Sequence, residues 1–121
     1  MSEHSLGPAE LRFAELVWAH APVASGELVS LANSVFSWKK STTHTVLRRL
    51  CDKGLFVNSG GTVQALLTKE DYFSRESCDF VASNFAGSLP AFLAAFTREH
   101  SLTEEQCKSL QALIDEARRK P

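Results

Sequence analysis

Nowhere does this chain carry an apolar run approaching the roughly 20 residues that a membrane-spanning helix needs. Its opening, MSEHSLGPAE, lacks the basic-then-apolar layout of a secretion signal. The expectation is a cytoplasmic protein without membrane insertion. Cysteine is scarce: Cys51, Cys78 and Cys107 are odd in number and far apart, which suits neither a disulfide framework nor a CxxC-type metal or redox motif. They are read as structural thiols. His4, His20, His44 and His100 form no pattern with cysteine or carboxylate that a nucleophile or a metal would require. With no constellation of acid, base and nucleophile in view, no enzyme activity, metal or cofactor is expected. A strong basic balance is missing too. At a net charge of −1 the chain is not one that coats nucleic acid indiscriminately. No internal repeat or low-complexity segment interrupts it.

What the chain does have is 121 residues, 44% of them hydrophobic, enough for one ordinary domain or a small domain plus an appendage. Its charge is unevenly placed. From Trp38 to Lys53 five cations (Lys39, Lys40, Arg48, Arg49, Lys53) face a single anion, Asp52, a net +4 that leaves −5 for everything else.

Helical signals come first. Pro8 and Glu10 open one helix, Leu11, Phe13, Ala14, Leu16, Val17 and Trp18 give it a broad apolar face, and it should end near His20, before Pro22. A second, capped by Ser25, runs to about Ser34 and buries Leu28, Val29 and Ala32 or Leu31. Val35 to Trp38 is then a connector with two aromatics to dock. Ser41 caps a third helix, Thr42 to Lys53, that Gly54 stops in the left-handed conformation. Val46, Leu47, Leu50 and Thr43 lie toward one side of it, leaving Thr42, His44, Thr45, Arg48 and Arg49 on the others. Leu55–Val57 and Thr62–Leu67 are β-prone runs joined across Gly60-Gly61, the pattern of a hairpin. The two glycines are read as a turn, since no other part of a nucleotide-binding motif accompanies them.

Three helices and a hairpin, with the cations on the third helix, make a winged helix-turn-helix. The fold class expected is mainly α with a small β-hairpin wing and a C-terminal helical region. Trp18 and Trp38 sit in apolar patterns and are assigned to packing.

From Lys69 onward only helices are expected. Phe73, Ser77, Phe80, Val81, Asn84 and Phe85 form a stripe that Gly87 ends; Ser88 caps the next helix, with Leu89, Phe92, Leu93 and Phe96 at helical spacing. The last helix has a capping box in Thr103 and Gln106, with Leu102 and Cys107 placed as a hydrophobic staple. Five of the eight phenylalanines fall in the last stretch of about fifty residues, too short to bury them by itself. A symmetric second copy satisfies these stripes most simply. Phe80, Phe85, Leu89, Phe92, Leu93, Phe96, Leu110 and Ile114 are the expected dimer interface.

Leu6 to Leu11 (LGPAEL), Leu16 to Trp18 (LVW), Trp38 to Gly54 (WKKSTTHTVLRRLCDKG) and Leu102 to Glu105 (LTEE) together resemble the penicillinase and methicillin-resistance repressor family, which has a copper-responsive branch. The likeness runs from Leu6 to about Ile114, and its middle stretch is the most specific. It implies a homodimeric transcriptional repressor whose third helix enters the major groove of a palindromic operator, and control of β-lactam resistance or a related stress-response gene. Residues 1–72 would be the winged-helix DNA-binding domain and 73–121 the dimerisation region.

Carried over by position, Ser41, Thr42, His44, Thr45 and Arg49 fall where the family contacts DNA, with Lys39, Lys40 and Arg48 beside them for phosphates. His44 replaces the usual lysine or arginine, implying a weaker, pH-dependent contact. The hairpin NSGGTVQALL lacks the basic residues common in the family's wing, and the copper branch's cysteine-rich tail is missing. In β-lactam-responsive members a membrane metalloprotease sensor leads, indirectly, to cleavage of an Asn-Phe bond. The matching bond here is Ala95-Phe96, with alanine in place of asparagine. The alternative from another class is a winged-helix module that binds protein instead of DNA, favoured by the net negative charge and the bare wing.

Overall fold

The structure, a computed structural model, describes residues 5–121; His4 and the three residues before it lie outside the described part. Six helices and three short strands follow in the order α1 (Pro8–His20), β1 (Val23–Ala24), α2 (Ser25–Phe36), α3 (Lys40–Asp52), β2 (Phe56–Ser59), β3 (Thr62–Ala65), α4 (Lys69–Asn84), α5 (Leu89–Phe96) and α6 (Glu104–Arg119). Backbone contacts group the chain into two units, dividing within α4 between Phe80 and Val81.

The first unit is a winged helix. Its core is Phe13, Ala14 and Val17 from α1, Leu28 and Ala32 from α2, and Val46, Leu47 and Leu50 from α3, closed below by Val23, Leu55, Phe56, Val63 and Tyr72. Of the candidates on α2, Val29 and Leu31 are only half-buried. Buried Thr43 sits on the same face of α3, and its hydroxyl is satisfied by donating to the Lys39 carbonyl at 3.2 Å. Trp18 packs on Phe56 and Tyr72 at ring distances of 5.5 and 5.8 Å, and its indole N–H donates to the Leu67 carbonyl at 2.9 Å.

Between β2 and β3 the turn residues Gly60 and Gly61 have φ of 61° and 88°, the two positive values a two-residue type I′ hairpin needs and glycine supplies without strain. The hairpin does not stand alone. Val23 and Ala24 pair antiparallel with Val63 and Thr62, making a three-stranded sheet in the order β1-β3-β2 with the outer hairpin strand at one edge.

Two helix starts differ from expectation. Helix α2 begins at Ser25 with Ala24 as its cap, and it continues through Val35 and Phe36 until Ser37 adopts a left-handed φ of 61°. Its last turn is held because Phe36 stacks on Trp38 (5.0 Å), which in turn packs on Phe13 (5.5 Å). Helix α3 is capped at Lys39, not Ser41, without a side-chain hydrogen bond. Trp38 anchors the chain two residues earlier than the serine would, so Ser41 lies inside the first turn.

The far end of α3 is tied to the start of α1. Lys53, the C-cap residue, donates from Nζ to Glu10 Oε1 and to the Ser5 carbonyl, each at 3.1 Å. Glu10 also accepts the Gly7 N–H at 3.1 Å. Burial pushes the Glu10 carboxyl up, but the Gly7 N–H, the bond to Lys53 and the positive charges of Lys53 and Arg49 outweigh it and hold the carboxyl below its ordinary value. A depressed carboxylate stabilises the fold fully above the ordinary glutamate value of about 4.3, and loses that contribution as pH falls through the depressed one. Glu10→Gln should therefore destabilise the winged unit by about 1 kcal/mol at pH 7. In urea unfolding its deficit relative to the parent should shrink as pH falls below the ordinary glutamate value and through the depressed one.

The second unit holds the end of α4, α5 and α6. Helix α4 ends at Asn84, and the chain then turns through Ala86 and Gly87, at φ 50° and 81°; Ser88 Oγ accepts the Ala91 N–H at 3.1 Å as the cap of α5. Thr103 and Gln106 form the reciprocal capping box of α6, both bonds 3.0 Å. No residue from Val81 onward is buried.

Candidate nucleic-acid interface

Helix α3 has one face locked into the core by Thr43, Val46, Leu47 and Leu50. At 100° per residue, the opposite ridge carries Ser41, Thr45 and Arg48, with Thr42 and Arg49 on one shoulder and Lys40 and His44 on the other. All are exposed except His44, which is half-buried one helical turn from Lys40 and one from Arg48. Ser41, Thr42, Thr45 and Arg49 border a shallow groove of about 240 Å³ floored by Val46.

Among the described residues, none of Lys39, Lys40, Arg48 and Arg49 forms an ion pair with a carboxylate. The Thr45 hydroxyl donates to the Ser41 carbonyl at 2.9 Å, which leaves its oxygen able to accept. The opening N–H groups of α3 have no side-chain cap, so they and the helix dipole add to the positive end where Lys39 and Lys40 already lie. Toward the other end the ridge reaches exposed Asp52. The hydroxyls of Ser41, Thr42 and Thr45 and the Lys39–Lys40 pair thus lie at the N-terminal half, the part of a helix-turn-helix's second helix that reaches base edges, while Arg48 and Arg49 lie in the second half.

Lys53, counted with the patch by sequence, is engaged with Glu10 and Ser5 and does not belong to this surface. Arg12 was not expected near it. Its guanidinium lies 5.8 Å over the Phe36 ring, which stacks on Trp38, so α1 delivers a further cation to the corner where α3 begins. A lone arginine on a helix face gives no signal of this before the fold is known.

The wing tip, Asn58 to Thr62, carries no charge. Half-buried Cys51 has its thiol pushed up, chiefly by burial and then by Asp52, against the opposing Asn58 N–H; a thiol so held is a poor nucleophile. Cys78 and Cys107, by contrast, are exposed, so neither packs as a structural thiol within the chain. Among the described residues no group of three His, Cys, Asp or Glu could hold a metal ion, and no helix is long and apolar enough to cross a membrane.

The expected interface residues of the second unit are uncovered to different degrees. Leu89, Phe96 and Ile114 are exposed, as is Phe80 on α4, while Phe85, Phe92, Leu93 and Leu110 are half-buried. Leu102 and Leu113 join Phe92, Leu93, Phe96 and Leu110 around an open apolar groove of about 660 Å³; Leu113, 65% exposed, is not among the interface residues expected from the sequence. The Ala95-Phe96 bond lies in the last turn of α5, whose C-cap Thr97 donates from Oγ1 to the Leu93 carbonyl at 2.8 Å. A protease would have to open that turn first.

A family model described as penicillinase repressor matches residues 6–116. A penicillinase repressor of Bacillus licheniformis is 24% identical over 115 residues, which cover 92% of this chain and 90% of that protein. With a winged helix whose third helix presents exposed cations, and a family match over nearly its whole length, the chain belongs to the penicillinase repressor family of transcriptional repressors.

Proposed function

We propose that this protein is a homodimeric repressor that places α3 of each copy in successive major grooves of a palindromic operator, with residues 1–72 binding DNA and 73–121 holding the dimer. The observation that carries the DNA contact is the outward side of α3 and its cap: four exposed cations that form no ion pair among the described residues, and three exposed hydroxyls, on a helix whose other side is fixed in the core. Lys39, Lys40, Arg48 and Arg49 would take phosphates, setting affinity and register. Ser41, Thr42, His44, Thr45 and Arg49 would reach base edges. The dimer is supported by the second unit, which has apolar stripes and no buried residue of its own.

The name of the Bacillus licheniformis relative makes a β-lactam-resistance gene the first target to try. In a gel shift, the DNA adjoining the protein's own gene should be retained in the presence of excess scrambled competitor. The uncharged wing favours one other reading, in which α3 docks on an acidic protein surface; competition by scrambled DNA as strong as by the specific fragment would point there.

A further inference from the structure

Backbone and side-chain hydrogen bonds together close the turn between α2 and α3. The Ser37 N–H donates to the Asn33 carbonyl at 3.0 Å and is shared with the Ala32 carbonyl, and the Trp38 N–H donates to the Ala32 carbonyl at 3.4 Å. A further bond comes from a side chain. Asn33 Nδ2 donates to the Trp38 carbonyl at 3.1 Å. That carbonyl belongs to the peptide unit joining Trp38 to Lys39, the cap of α3. The next carbonyl along, that of Lys39, is held from the other side by the Thr43 N–H at 3.1 Å and the Thr43 hydroxyl at 3.2 Å. Two successive peptide planes at the entry to α3 therefore each have a side-chain anchor.

We propose that Asn33 is a positioning residue for operator recognition, one that sets sequence discrimination by α3 without touching DNA; this rests on the operator-binding reading above. Asn33 is exposed, so its amide satisfies no buried group, and water can replace it at the Trp38 carbonyl with little effect on folding. What water cannot supply is a fixed direction for the first turn, which carries Lys40, Ser41 and Thr42. Long lysine and arginine side chains follow phosphates through small rotations of the helix. Hydroxyl and guanidinium contacts to base edges do not, because a hydrogen bond weakens steeply once its angle is lost. A loosened turn should thus reduce affinity for the right sequence more than affinity for DNA in general.

The test uses a duplex enriched by the full-length protein from a randomised library, and a scrambled duplex of the same composition. Asn33→Ala should lower the ratio of the two affinities five- to tenfold, with binding to the scrambled duplex within about twofold of the parent and the melting temperature within about 2 °C. Asn33→Gln, which keeps a donor, should recover part of the ratio. An unchanged ratio overturns the proposal. So does a parallel loss on both duplexes, or an alanine variant that no longer melts cooperatively, since either marks a purely structural role. A parent protein that enriches no duplex overturns the operator reading itself, and this assignment with it.

Discussion

Phe96→Ala should sediment as a monomer and lose at least a hundredfold in operator affinity. The second unit has no residue it can bury alone, and its rings run in series: Phe85 lies 5.5 Å from Phe92, Phe92 6.4 Å from Phe96, and Phe96 5.3 Å from His100. Phe96 is still 45% exposed within one copy, which is the surface a second copy would cover. Removing a ring from such an interface costs on the order of 3 kcal/mol or more, and it does so twice in a symmetric dimer. The winged unit should be unaffected, since its core contains none of these residues. A monomer would then offer one α3 to a palindrome and forfeit the gain from binding both half-sites at once. Phe96→Ala protein that remains an intact dimer would mean that this stripe packs inside the chain.

Replacing Arg48 and Arg49 together by alanine should weaken operator binding about a thousandfold while leaving the melting temperature nearly unchanged. Both side chains are exposed on the sides of α3 away from the core. In a dimer the double substitution removes four charge-assisted contacts, at roughly 1 to 1.5 kcal/mol each. Arg49 also adds to the field that favours ionised Glu10, a small effect across a solvated surface. Fluorescence anisotropy with a labelled operator, paired with thermal denaturation, separates the two quantities. Binding within tenfold of the parent would remove these arginines from the interface.

Much of the winged unit was legible because local chemistry and burial agree there. Adjacent glycines between two β-prone runs leave little besides a type I′ hairpin, and the spacing of Thr43, Val46, Leu47 and Leu50 points all four to one side of a helix. Strand β1 was not legible: two residues carry no period, and Val23 and Ala24 become a strand only because β3 offers an open edge. The start of α3 was misplaced because serine is the better cap by propensity. Packing of Trp38 on Phe13 and Phe36 decided the matter, and it moved Ser41 from a capping role to one in which its hydroxyl faces outward. Lys53 looked like part of the basic patch for the same kind of reason. Its partner Glu10 is 43 residues away, and only the fold brings them together. Exposed Cys107 and Leu113 lie in the second unit, where the partner proposed to give the apolar surface its context would be a second chain.

The central claim is that α3 meets a polyanion in two copies at once. The most direct test is the salt dependence of operator binding by the unmodified protein. With Lys39, Lys40, Arg48 and Arg49 of both copies neutralising roughly 6 to 8 phosphates, log K against log salt concentration should fall with a slope of about −5 to −7. A slope near zero would contradict the account and leave a protein surface as the partner of α3.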